Sequence, residues 1–202
     1  IRSRVDKLAR SDDTPLETLV KDEIDFRITH HYDFLFAGPD VDFHGGHIDE
    51  SLINADIYTG EARRWANLHS GMLTSWEDFE QHPWPKLEDV SYAMLDETER
   101  WIPDGMKAIG ARGHIFTEVW ELMGLEAFSF AIYDDPDLLD AMFERVGDIV
   151  LKMIATILDY DCVGALRFND DLGFKTGLPM PPWVYRRWLF PRMRQAVEMC
   201  HQ

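Results

Sequence analysis

Cysteine is almost missing from this chain: only Cys162 and Cys200 occur among 202 residues. Two cysteines so far apart form neither a zinc-binding spacing nor a disulfide framework, and a reducing cytoplasm is the expected compartment. Basic residues are scarce as well. Lys and Arg number 20 against 37 Asp and Glu, for a net charge of −17. So acidic a surface argues against nucleic acid and anionic membrane as partners. It leaves a small-molecule ligand open, because the field inside a site can differ from the net charge. There is no run of about 18 apolar residues, so no membrane-spanning helix is expected. The opening IRSRVDKLAR lacks the apolar core of a secretion signal. Internal repeats and low-complexity tracts are absent. No Met opens the chain, and the closing MRQAVEMCHQ stops inside a helical pattern without a cap, so the sequence is expected to be a fragment. What is present is a 46% hydrophobic, 12% aromatic composition, enough for one substantial core.

The most informative stretch runs from Asp161 to Pro182, DCVGALRFNDDLGFKTGLPMPP. Val163, Ala165, Leu166 and Phe168 form a short apolar run, broken only by Gly164 and Arg167. Asn169, Asp170 and Asp171 follow at once, and then a Gly-punctuated loop leads into a new helical pattern. A short apolar strand, a polar tip and a loop into a helix make the βα half of a parallel unit. Ligands in α/β folds sit at the C-terminal ends of such strands. Two adjacent carboxylates at that tip need water, a cation or hydrogen-bond donors around them. One of the pair is expected to cap a turn, as Asp does well, and the other to face a site.

Along the chain, Asp12, Asp13 and Thr14 before Pro15 predict a helix over about Pro15 to Phe26, with Thr14 and Glu17 at capping-box spacing. In HHYDFLFAGPDVDFHGGH, His44 and His47 with Asp42 could in principle ligate a metal. The spacing matches no zinc pattern, and Gly45 and Gly46 favour a loop. Trp65, Trp76 and Trp84 mark an aromatic arm, in which Ser75 is expected to cap a short helix ending before Pro83. Aromatic residues beside prolines more often pack an arm down than line a pocket. Residues 88 to 101 read as a helix with Val90, Ala93, Met94, Thr98 and Trp101 on one side. A turn at Pro103-Asp104-Gly105 and a strand over Met106 to Arg112 follow. Gly110 and Gly113 are expected to let the backbone come close to a neighbour. Thr117 opens a short helix that stops at Gly124, and Phe128 to Ile132 reads as a brief strand. Asp135-Pro136 begins an amphipathic helix reaching Asp159, expected to pack on the Val163 to Phe168 strand. Cys162 reads as a small core residue. After Pro182 the pattern is helical, with a break at Pro191. Helix, strand and helix in this order are the grammar of a parallel α/β fold.

Three segments together resemble the uroporphyrinogen decarboxylase superfamily, which includes cobamide-dependent methyltransferases. They are EDFEQHPWP at 77 to 85, GARGHIFTEVWELMGLEAFSFAIYDDPDLL at 110 to 139 and FNDDLGFKTGLPMPPWVYRRWLFP at 168 to 191. The third is the most specific: Asp171, Gly173, Pro181, Tyr185 and Pro191 occupy the family's places, with Met180 or Pro181 where a Ser is usual. The resemblance covers residues 61 to 202, while residues 1 to 60, read as mostly helix and loop, are unmatched. It implies an α/β fold of the (β/α)8 barrel type, of which this chain is too short to hold the whole; such barrels take about 250 residues.

The resemblance is closer to the methyltransferase-like branch, because of the Asp-Asp-Leu-Gly tip and the Trp-rich arm. The activity implied is methyl transfer between a corrinoid or a methylated substrate and a thiol. Zinc and a corrinoid are the implied cofactors of the complete protein, with the zinc ligands beyond Gln202 and no metal ligand within this chain. Asp171 and Asp170 are the implied catalytic carboxylates. Arg112, His114, Asn169 and Tyr185 are the implied substrate-binding residues. Expected partners are a small-molecule substrate and a corrinoid protein, with self-association open. Two alternatives stand beside this one. The first is tetrapyrrole decarboxylation, which makes a lyase, although the Arg-rich N-terminal segment of that branch is not found here. The second is a non-catalytic partial barrel that pairs with another chain.

Overall fold

The computed structural model describes residues 14–45, 53–55, 62–64, 71–173 and 175–201. Its centre is a sheet of three parallel strands, β1 (Phe34–Ala37), β4 (Lys107–Ala111) and β5 (Val163–Arg167), in the order β1-β4-β5. A separate antiparallel pair, β2 (Ile53–Ala55) and β3 (Ala62–Arg64), lies between β1 and β4 in sequence. The helices are α1 (Leu16–Thr29), α2 (Trp76–Gln81), α3 (Ala93–Trp101), α4 (Phe116–Met123), α5 (Leu125–Asp134) and α6 (Pro136–Leu158). The chain ends in α7 (Pro182–Val184), a π-helical segment (Tyr185–Leu189) and α8 (Phe190–Cys200). Every connection between strands of the parallel sheet carries helices, which makes this an α/β fold. The described parallel strands form an open sheet.

The helices cover one face of that sheet. Val20 and Ile24 of α1 bury against Leu35 and Met106. Leu95 of α3 and Ile157 of α6 close over Ala37, Ala108 and Cys162. Cys162 is therefore the small core residue expected. The opposite face carries Phe36, Ile109 and Ala165 in one row and Ala111 with Arg167 in the next. There the Arg167 guanidinium stands 5.2 Å from the Phe36 ring centre, and both side chains are exposed.

The largest core cluster joins α4, α5, α6 and the final helices beside the sheet. Helix α6 begins where Asp135 accepts from the Leu138 amide at 3.1 Å with Pro136 behind it, and it runs 23 residues without a break. Its buried stripe, among it Leu139, Met142, Val146, Val150 and Ile154, follows the three- and four-residue spacing of the sequence. It reaches the strands closely: a Cβ on Gly110 would stand 2.5 Å from Ile157 Cγ2.

Several local expectations need correction. Phe128 to Ile132 is not a strand but part of α5. Phe128, Ala131 and Ile132 recur at helical steps and all bury, and Gly124 at φ 76 turns the chain from α4 straight into it. Strand β1 arises in a stretch read as loop, because its FLFA run is short and only alternate residues bury. Helix α1 starts on Pro15 with no side-chain cap; Glu17 bonds Lys21 at 2.5 Å instead of closing a capping box. On α3 the buried residues are Leu95 and Thr98, while Met94 and Trp101 are exposed. Pro191 does not break the last helix. It lacks an N–H, and its ring crowds the carbonyl four residues earlier; the π-turn just before it widens the helix there. Trp84 does pack its arm down, donating to the Phe79 carbonyl at 3.0 Å beside Arg145 of α6. Trp65 and His47 lie outside the described residues.

The approach of α6 to β4 gives a direct test. Gly110→Ala should lower unfolding free energy by about 1–3 kcal/mol through overpacking. In an Ile157→Ala background, which lacks the Cγ2 that the new Cβ would strike, the cost of Gly110→Ala should be smaller in urea titrations. Equal stability of Gly110→Ala and the parent would mean that α6 does not press on the strand there.

Candidate functional site

The C-terminal ends of β4 and β5 meet in one place. After β4 the chain runs Arg112, Gly113, His114 and into α4; after β5 it runs Phe168, Asn169, Asp170, Asp171. The two tips touch at Gly113, where a Cβ would stand 2.7 Å from Phe168 Cα. Asp170 is the fastener. Its Oδ2 accepts from the amides of Ile115 at 3.0 Å and Phe116 at 2.9 Å, and its Oδ1 from Thr117 at 2.8 Å. These amides at the start of α4 have no acceptor within their own helix, and the helix dipole favours a carboxylate there. The Thr117 hydroxyl in turn accepts from the Asp171 amide at 3.2 Å. The expectation that one carboxylate of the pair caps is met by Asp170. The Asp171 side chain is left exposed at the mouth, with no hydrogen-bond partner among the described residues.

Arg112 and Glu118 form a second, drier layer. They pair at 3.2 Å, with side chains only 13% and 12% exposed. Burial pushes the Glu118 carboxyl above the usual carboxylate range, while the Arg112 charge works to bring it down. Burial also lowers the Arg112 guanidinium, which Glu118 and then Asp170 oppose. The Arg112 Nε is buried without a hydrogen-bond partner among the described residues, and the guanidinium lies 5.1 Å from the Phe43 ring centre. Glu118 was missed in the sequence. Its signal was an acid inside the largely apolar FTEVWELM, six residues after Arg112.

His114 is half-buried against Asn169, whose Nδ2 meets His114 Nε2. With Asn169 donating, the ring is neutral and carries its proton on Nδ1. Burial and then the nearby Arg112 charge lower its pKa. Of the six residues named from the sequence, Asp170, Asp171, Arg112, His114 and Asn169 come together here. Tyr185 is different: it is buried in the core, its ring tilted against Phe116 with centres 4.9 Å apart, and its hydroxyl accepts from the Met180 amide at 3.3 Å and donates to the Leu172 carbonyl at 3.5 Å. It supports the loop that follows Asp171 from beneath. Gly173 does not turn that loop by unusual backbone. A side chain there would meet nothing nearer than 3.9 Å, and the left-handed φ of 151 belongs to Gly177.

Among the described residues, no three His, Cys, Asp or Glu side chains stand where they could hold one metal ion. The two cysteines are remote from the mouth, Cys162 just before β5 at its other end and Cys200 at the end of α8. His44 sits in a turn where its amide donates to Asp42 Oδ1 at 2.8 Å. No described helix is long and apolar enough to cross a membrane.

No protein-family model and no curated protein matches the chain. Its fold is similar to that of a methyltransferase from Methanosarcina mazei, with a TM-score of 0.57 and 10% identity. The match covers 94% of this chain and 55% of that one, so the chain spans little more than half the length of the protein it matches. At this identity the likeness is one of fold, a methyltransferase-like α/β arrangement.

His114 yields a test in pH. Its folded-state pKa lies below the ordinary 6.5, so folding favours the neutral ring. The stability from this preference is complete above 6.5 and is lost as pH falls through the lowered value. An NMR titration of the His114 ring should give a midpoint below 6.5. His114→Gln should also flatten the fall of unfolding free energy below that pH. A midpoint at or above 6.5 would contradict the placement.

Proposed function

We propose that this chain forms one sector of a (β/α)8 barrel of the uroporphyrinogen decarboxylase superfamily, and that the mouth at β4 and β5 serves methyl transfer between a corrinoid or methylated substrate and a thiol. The observation that carries this is the Asp170 clamp. It brings Arg112, His114, Asn169 and Asp171 to the C-terminal ends of neighbouring parallel strands, the position where barrel enzymes gather their reacting groups. The methyltransferase-like fold supports the same reading at a coarser level.

In this reading Asp171, solvated and unclamped, orients the substrate or accepts a proton from it. His114, neutral with its proton on Nδ1, offers a donor beside it. Arg112, held by Glu118, supplies a fixed positive charge behind the mouth. A thiol must become a thiolate to act as nucleophile, and zinc would do this by lowering its pKa. The described residues do not make a zinc site. A separate corrinoid protein is the proposed methyl carrier, and a reducing cytoplasm the proposed compartment.

The test is Asp171→Asn in the complete protein, assayed for methyl transfer from a methylcorrinoid to a small thiol. Turnover should fall at least tenfold while the melting midpoint stays within a degree or two, since the side chains are nearly isosteric and the carboxylate holds nothing up. Unchanged turnover would remove Asp171 from the site. Loss of a tetrapyrrole carboxyl group, with no methyl transfer in the parent, would replace this reading by the decarboxylase one.

A further inference from the structure

The mouth has a third wall, supplied from outside the two strand tips. A proline disfavours helical backbone at the residue before it. Helix α2 therefore ends at His82, which turns extended at φ −62 and ψ 131 ahead of Pro83. The His82 ring crosses to the loop after β1, where Nε2 stands 2.8 Å from the Phe43 carbonyl. A carbonyl only accepts, so Nε2 carries a proton and donates. The loop returns past the same arm: a Cβ on Gly45, at φ 61, would stand 2.6 Å from Pro83 Cγ. The arm is itself held. The Trp84 ring meets His82 edge-on at 4.6 Å and Phe79 at 5.4 Å, and Arg145 of α6 stands 5.7 Å from the Trp84 ring centre.

Phe43 is what this contact holds. It is 1% exposed, and the Arg112 guanidinium lies over its ring. A ring face attracts a guanidinium more strongly where water is excluded. Arg112 meets Glu118 through Nη2 at 3.2 Å, and its Nε has no hydrogen-bond partner among the described residues. A guanidinium held at one nitrogen swings about that contact, and the Phe43 ring is the second point that stops it. Loop and ion pair are close enough that Asp42, the residue before Phe43, acts electrostatically on both His82 and Glu118.

We propose that His82 is a positioning residue for the mouth: by fixing the Phe43 carbonyl it keeps the ring against the Arg112 guanidinium, and so sets where the buried positive charge stands behind the reacting groups. The role in turnover rests on the methyl-transfer reading of the mouth; the hold on Arg112 does not. The contact joins residues 39 apart in sequence and ties the aromatic arm to the site. His82 acts by geometry rather than charge. Burial lowers its pKa, which the Phe43 carbonyl and Asp42 oppose, so the donating ring is neutral at neutral pH.

The reporter is the His114 ring, whose titration senses Arg112 together with Asp170, Asn169 and Arg167. NMR titrations of the folded chain compare His82→Gln, His82→Asn and His82→Leu. Gln places an N–H where Nε2 was and should keep the parent midpoint. Asn falls short and Leu has no donor, so in both the guanidinium should swing off and the His114 midpoint rise by about half a pH unit. Phe43→Leu removes the ring but keeps an apolar side chain; it should raise the midpoint likewise, and adding His82→Leu should raise it little more. Loosened packing alone would raise it in any background. The proposed route needs Arg112, so in Arg112→Met with Glu118→Gln the His82→Leu change should leave the midpoint where it is. Equal midpoints in His82→Gln and His82→Leu would overturn the proposal, as would an undiminished shift in the background without Arg112. In the complete protein, His82→Leu should lower kcat for methyl transfer several-fold, with His82→Gln near the parent. The expected midpoints in a parent that transfers no methyl group would uphold the hold on Arg112 and overturn the methyl-transfer reading alone.

Discussion

The Asp170 carboxylate, with three backbone amides of α4 on its two oxygens, is the contact on which the arrangement of the mouth depends. It satisfies donors that a helix start cannot satisfy itself, and it does so from another strand, 53 to 55 residues away in sequence. That distance is what gives it consequence, since a local cap orders one helix end whereas this one locks two strand tips together. Gly113 permits the closeness, having no side chain to strike Phe168. The Thr117 hydroxyl then holds the Asp171 amide, and Asn169 reaches His114. Asp171 is thereby presented to solvent by a rigid neighbour rather than by its own contacts.

Behind this clamp the Arg112–Glu118 pair sits where water is scarce. Removing two charges from water costs more than an ordinary contact returns, and such a pair is weak evidence for stability alone. Its place directly beneath the mouth gives it another use: burial lowers the pKa of His114 most, and the fixed Arg112 charge lowers it further. The buried aromatic residues Phe116, Phe128, Phe143, Tyr185 and Trp188 pack around the same helix start. The hydrophobic core and the mouth therefore share α4 as a wall.

Much of this was legible where the physics is local. The Asp135-Pro136 start and the long apolar stripe of α6 need only neighbours in sequence, as do the Ser75 cap of α2 and the turn at Gly105. Asp170 and Asp171 could be sorted into one cap and one free carboxylate, but which helix was capped could not be known, because the capped amides lie in another segment. Glu118 went unseen for the same reason, since its partner Arg112 becomes a neighbour only once α4 folds back on β4. Tyr185 had the look of a site residue in the resemblance, yet Phe116 and the π-turn pull it into the core. Phe128 to Ile132 and Pro191 were misjudged where packing and a widened helix turn outweighed propensity.

Native-state hydrogen exchange on Asp170→Ala tests the clamp most directly. Without the carboxylate, the amides of Ile115, Phe116 and Thr117 should lose protection equivalent to about 1–3 kcal/mol. The His114 ring should shift as Asn169 is released, while amides in the middle of α6 stay protected. Unchanged protection at those three amides would contradict the claim that Asp170 holds the two strand tips together.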